Sequence, residues 1–255
     1  MSNSMTVALN TYREGLRART PYVLVAYGLL ILAAASALTP LALGEQSRIL
    51  RDLGLAGIEG IAVVLSVVIG TTLVHKEVDK RTIYVILSKP VERYQFLLGK
   101  YLGMELLMAT VTAAMAAIFA AGVLFQDRSF PAALLIPVGL IFLKVSIVNA
   151  LALLFSTVSS PALGTVFTVS LYLAGCLSRS ILELGQKLPT LAAKTLVVIL
   201  YYVLPNLSDL DVKNQVVFGQ PVPLPQVLWG VAYTAAYCIA VLALTTVVFE
   251  RRDAK

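Results

Sequence analysis

The sequence predicts an all-α integral membrane protein: six transmembrane helices, with both termini in the cytoplasm. Three observations lead there. Hydrophobic residues make up 58% of the 255-residue chain and charged residues only 13%. The mean hydropathy is +0.85, far from the balance of a soluble domain. Six apolar runs each approach the roughly 20 residues needed to cross a ~30 Å hydrocarbon core. Between the second and third runs lies a dense polar island, residues 75–103.

The runs are 22–43, 56–74, 101–125, 133–155, 162–182 and 227–249. They are continuous rather than alternating, which selects helices over a closed barrel, the other way to satisfy a backbone in lipid. The whole chain, 1–255, forms one transmembrane domain. A seventh apolar stretch, 191–204, keeps only ten apolar residues after Lys194 before Pro205. It predicts a re-entrant or interfacial helix between the fifth and sixth spans. The segment around it, 183–226, is expected outside the membrane, where Pro221, Pro223 and Pro225 help shape an exit.

Residues 1–21 form a basic leader. In a helix over 7–19, Val7, Leu9 and Leu16 face lipid while Arg13, Arg17 and Arg19 meet anionic headgroups. A frayed leader is the competing reading. Ala35-Ser36-Ala37 resembles a cleavage site, but the run continues to Leu43 behind a long segment carrying Glu14, so it reads as a signal anchor. Twelve Lys and Arg fall on the side of the leader, the island and the C-terminus, and seven on the other, which places both termini inside. The net charge of +6 belongs to those basic loops; no nucleic acid is expected. Cys176 and Cys238 lie in apolar runs and read as packing residues.

Within the island, Ile83, Ile86 and Leu87 share a helical face preceded by Lys80 and Arg81. Ser88-Lys89-Pro90 breaks that helix, and a second helix restarts near Val91 and leads into the third run. A short helix with one apolar side and a charged rim suits docking to a soluble partner. It equally suits lying on headgroups, and physics alone leaves the two readings level.

The stretch VHKEVDKRTIYVILSKPVERYQFLLGKYLG resembles the loop after the second span of ATP-binding-cassette (ABC) type-2 transporter permease subunits, through Glu77, Arg81, Thr82, Leu87, Ser88, Pro90, Arg93, Gly99 and Lys100. NTYREGLRAR at 10–19 resembles the family's amphipathic helix, and ALLFSTVSSP at 152–161 its turn between the fourth and fifth spans. Pro205-Asn206-Leu207 resembles the branch associated with multicopper-enzyme maturation. The resemblance implies that 75–100 carries a cytoplasmic coupling helix seated on an ATPase subunit. Glu77, Lys80, Arg81, Thr82, Ile83, Leu87 and Ser88 would make or flank that contact, Pro90 would set an elbow, and Arg93 and Lys100 would anchor the lead-in. It also implies two ATPase copies that carry ATP and Mg, a second permease protomer, identical or related, and residence in the plasma (inner) membrane. The pathway would be lined by Ser66, Thr165, Thr168 and Tyr172, residues whose hydroxyls are also ordinary in packing.

Three ionisable residues interrupt the runs, where charge is costly and points to function. Glu59 lies near an outer end and is expected to reach water. Glu105 and Lys144 are deeper and predict an interhelical clasp that includes Asn149. No Gly-x-x-x-x-Gly-Lys-Ser/Thr loop is present, so the chain is not expected to bind ATP. The single histidine excludes an HExxH zinc site, and no Gly-x-Ser-x-Gly elbow occurs. The chain is thus expected to hold no cofactor or metal and to be no enzyme by itself. Two rival functions stand beside the exporter reading: a proton-coupled secondary transporter using Glu105 and Lys144, and a membrane scaffold that recruits a cytoplasmic protein.

Overall fold

The computed structural model describes residues 3–18, 20–38, 46–73, 93–128, 131–186 and 191–252. Among them are ten α-helices and no strand. They are α1 (Asn3–Ala18), α2 (Thr20–Leu38), α3 (Gln46–Leu73), α4 (Arg93–Asp127), α5 (Leu135–Val158), α6 (Pro161–Cys176), α7 (Ser178–Gln186), α8 (Leu191–Val203), α9 (Lys213–Val217) and α10 (Leu224–Arg252). Short 3-10 turns, Ala132–Leu134 and Ser208–Leu210, precede α5 and α9.

Among the described residues four helices are long and apolar enough to cross a membrane: Ser47–Leu73, Tyr94–Asp127, Ala132–Val158 and Leu224–Phe249. The expected fifth span is not one straight helix. It breaks at Leu177 into α6 and α7, bent by 58°, and the two halves meet the same criterion together. The first expected span appears as α2, whose apolar stretch among the described residues is the shorter Tyr22–Ile31. The helix that carries the second expected span, α3, begins ten residues before it, at Gln46. Its early charges have partners: Arg51 pairs with Asp127 at 2.5 Å, and the Arg48 guanidinium lies 4.9 Å from the Phe218 ring centre.

The central helix is α5. It lies against α3, α4, α6 and α10, and every residue from Lys144 to Leu153 is buried. Its neighbours approach closely wherever a side chain is missing. A Cβ at Gly70 of α3 would stand 2.6 Å from Ala152 Cβ, and one at Gly54 would stand 2.4 Å from the Phe119 ring of α4. Tyr27 of α2 donates to the Gly54 carbonyl at 3.0 Å.

At 35 residues, α4 is about 52 Å long, well beyond a ~30 Å core. Its first turns carry α1, which runs alongside in the same direction. Gly99 faces Ser4 and Val7, Gly103 faces Ala8 and Thr11, and Gly15 faces Leu107. The helical leader is therefore real, but its apolar face meets protein where lipid was expected: Val7 and Leu16 pack on the core, while Arg13 and Arg17 remain exposed. Lys100 is buried beside this seam, its ammonium 5.7 Å from the Phe96 ring centre.

The opposite end of the bundle, the far end, holds α7, α8 and a folded strap, residues 204–217. The strap is packed inward through Leu204, Leu207, Leu210, Val212, Val216 and Val217. It explains the break at Leu177. The Pro205 carbonyl occupies the space a Cβ at Gly175 would need, at 2.5 Å, and the Leu207 N–H donates to the Gly175 carbonyl at 3.2 Å. Backbone inserted at a helix end re-aims the chain. The apolar stretch 191–204 forms α8, which folds back on α7, with Gly185 against Val197.

The α1 seam makes a direct prediction. A Cβ at Gly103 would lie 2.6 Å from the Ala8 carbonyl and 2.7 Å from Thr11 Cβ, so Gly103→Val drives α1 off α4. Limited trypsin cleavage at Arg13 and Arg17 should then accelerate by about tenfold, the factor that a loss of ~1.4 kcal/mol implies. Ala121→Val, on an exposed face of the same helix, should leave it unchanged.

Candidate functional site

Two polar clusters sit inside the bundle. The first gathers four charges. Glu59 lies midway along α3 and is 4% exposed. Its Oε1 accepts from Lys144 Nζ at 2.7 Å and from the Tyr172 hydroxyl at 2.9 Å. Its Oε2 accepts from Lys213 Nζ. Asp211 Oδ2 stands 3.5 Å from Lys144 Nζ and 3.6 Å from Lys213 Nζ. The group is neutral in sum and joins α3, α5, α6 and the strap. Two buried ions each cost several kcal/mol to desolvate, which only close, hydrogen-bonded geometry offsets. Burial works against the Lys213 ammonium, but the Glu59 hydrogen bond and charge, with Asp211, outweigh it and raise its pKa. What that pairing contributes to stability is therefore present at neutral pH and lost only as pH rises through the raised value.

The second cluster lies closer to the α1 end. Glu105 Oε1 accepts from Asn149 Nδ2 at 2.8 Å, and Oε2 accepts from Ser146 Oγ at 2.7 Å. Ser66 Oγ donates to Asn149 Oδ1 at 2.5 Å. The cluster thus ties α3, α4 and α5 together with no cation in it.

The clasp predicted among Glu105, Lys144 and Asn149 therefore divides. Asn149 does hold Glu105, whereas Lys144 pairs with Glu59. Side chains on a helix lean toward its N-terminus. The N-terminus of α5 lies at the far end and that of α4 at the α1 end, so Lys144 and Glu105 lean apart. The expectation that Glu59 reaches water is corrected as well; it is the hub of the first cluster. No local pattern in the sequence marks Asp211 and Lys213 as site residues. The available signal was two opposite charges, Glu59 and Lys144, in runs otherwise apolar.

The four pathway residues named from the sequence each have a partner within the chain. Ser66 bonds Asn149 and Tyr172 bonds Glu59. Thr168 donates to the Gly164 carbonyl at 2.7 Å, and Thr165 donates to the Pro161 carbonyl at 2.8 Å and lies 3.2 Å from Thr71 Oγ1. Of the coupling set, Glu77, Lys80, Arg81, Thr82, Ile83, Leu87, Ser88 and Pro90 lie outside the described residues, and Arg93 is the first residue of α4.

Pro205-Asn206-Leu207 forms a hub at the break. Asn206 Nδ2 donates to the Tyr201 hydroxyl (2.8 Å) and to Asp209 Oδ2 (2.6 Å). Its Oδ1 accepts from Ser178 and Ser208 (both 2.8 Å), and its backbone N–H donates to the Tyr233 hydroxyl (2.7 Å). Among the described residues no group of three or more His, Cys, Asp or Glu is placed to hold a metal ion.

The family model described as "ABC-2 family transporter protein" matches residues 23–254. No curated protein matches the chain.

Removing one member of a buried ion pair strands the other. Lys144→Met is expected to cost about 3 kcal/mol, at the low end for a broken buried pair because Lys213 and Tyr172 still hold Glu59. Glu59→Gln with Lys144→Met should recover at least about 1 kcal/mol of that loss. Unfolding of the single and double variants in detergent gives the cycle, and strict additivity would show that the pair is not coupled.

Proposed function

Because the chain belongs to the ABC-2 family of transporter proteins, we propose that it is the permease subunit of an ATP-driven exporter whose ATPase is a separate chain. It is a multi-pass membrane protein and a transport component, with four helices long and apolar enough to cross a membrane, and a bent pair that meets the same criterion together, among its described residues. The proposed assembly has two permease protomers and two ATPase subunits that carry ATP and Mg. Each protomer contributes six spans, α2 being the first, and both termini lie on the ATPase side of the plasma (inner) membrane. The translocation path runs between the second and fifth spans of the protomers, near Ser66, Thr165, Thr168 and Tyr172.

One observation supports this reading above the others. The polar segment before Arg93 leads directly into α4, one unbroken helix of 35 residues that reaches the far end. A displacement imposed on that segment is delivered along α4 to Glu105 and so to α5. Such a relay needs a rigid element that a partner can bias. ATP chemistry is assigned to the partner because the chain has no phosphate-binding loop.

Purification of the chain from its native host in mild detergent tests the proposal. An ATPase subunit should remain bound, and Leu87→Asp should lower the retained amount by about tenfold, as loss of one well-buried contact residue does. Arg81→Ala should lower the nucleotide-driven ATPase activity of the complex. Reproducible absence of an ATPase overturns the exporter reading. Transport that follows a pH gradient without one would point to a secondary transporter.

A further inference from the structure

We propose that the strap, residues 204–217, is a gate across the far end of the pathway, and that the Glu59 cluster is its latch. The strap is seated by two separate sets of polar ties. At one end Asn206 holds the α6–α7 break through Ser178, and the Leu207 N–H meets the Gly175 carbonyl. At the other, Lys213 reaches Glu59 in mid-bundle, and Asp211 faces Lys144.

The two halves of the latch differ in how easily they part. Lys144 and Glu59 are almost fully buried, with side chains 1% and 6% exposed, on helices otherwise packed together. Lys213 and Asp211 are 18% and 40% exposed, so on release water solvates them at once. When the strap lifts, Glu59 keeps Lys144 and Tyr172, and no buried charge is left without a partner. The cluster therefore has two satisfied states, strap seated and strap released, as a bistable element requires. Cys176, at the end of α6, is half-buried beside Tyr172 and within reach of the charges of Lys144, Glu59 and Asp211, and Cys238 is buried in α10.

The role of the strap as a gate rests on the exporter reading, while the latch can be read on the chain alone. Amide hydrogen exchange of the purified chain measures local opening. Lys213→Met should raise exchange over 204–217 by about tenfold or more while exchange in α5 stays as it was. It should also speed reaction of Cys176, not Cys238, with a water-soluble maleimide. Asn214→Ala, exposed on the same short helix, should change neither. Asp211→Asn gives the same test at smaller amplitude should Lys213→Met fail to fold. Unchanged exchange in both variants overturns the latch, as does a rise shared equally by α5. In the assembled complex trapped with a non-hydrolysable ATP analogue, exchange over 204–217 should also rise. If an ATPase is bound and it does not rise, the gate is overturned. If no ATPase is found, the exporter reading fails instead, and the isolated chain still decides the latch.

Discussion

A carboxylate in the middle of an apolar bundle constrains everything around it. Glu59 is 4% exposed, and an ion there persists only while strong donors hold it. Lys144 and Tyr172 fill one oxygen and Lys213 the other. That requirement fixes how α3 and α5 face each other and which way α6 turns its Tyr172. The inward fold of the strap adds Lys213 to that set. A pair of alkyl side chains of similar size would hold the helices together as well or better. Ions add a demand for particular partners, which is the property a seat needs if it is to be left and regained.

Elsewhere the bundle is held by close approach. Helices in lipid gain little from hydrophobic burial, so contact at short range replaces it, and small residues make that contact possible. Gly99 and Gly103 admit the backbone of α1, Gly70 admits Ala152, and Gly175 admits the Pro205 carbonyl. At each of these a methyl group would stand inside 3 Å of a neighbour. The spacing Gly99-x-x-x-Gly103, common in membrane helices and uninformative by itself, here marks the groove in which the leader lies.

What was legible in the sequence was what periodicity and length decide: helices throughout, spans near 133–155 and 227–249, a helical leader, and a polar tie between Glu105 and Asn149 at matching depth. What was not legible depended on partners far away in the chain. Charged residues end an apolar run, so the run 56–74 does not show that its helix extends back to Gln46, where Arg51 finds its partner in Asp127, 76 residues away. The break at Leu177 has no proline or glycine pair to announce it, because its cause is the Pro205–Leu207 backbone. Lys144 meets Glu105 only by stretching toward the cytoplasmic side, whereas the lean of side chains toward each helix's N-terminus assigns it to Glu59. Asp211 and Lys213 sit in a segment read as an outer loop, and only the folded strap brings them to a buried acid.

The two clusters together determine where this chain can move. Ser66–Asn149 and Glu59–Lys144 both join α3 to α5, at two depths, and Gly70 against Ala152 locks the same pair by shape. Glu105 joins α4 to α5 through two hydrogen bonds. To slide any of these three helices past another would strand buried polar groups at a cost of ~1–3 kcal/mol each, more for charged ones. Helices α3, α4 and α5 therefore act as one body. A push received at the head of α4 moves that body whole, and the strain falls on its weakest attachments. Those are the bent joint at Leu177 and the partly exposed Lys213 and Asp211 of the strap. Motion imposed at the α1 end is thus expressed at the far end, where the strap's charged groups exchange protein partners for water.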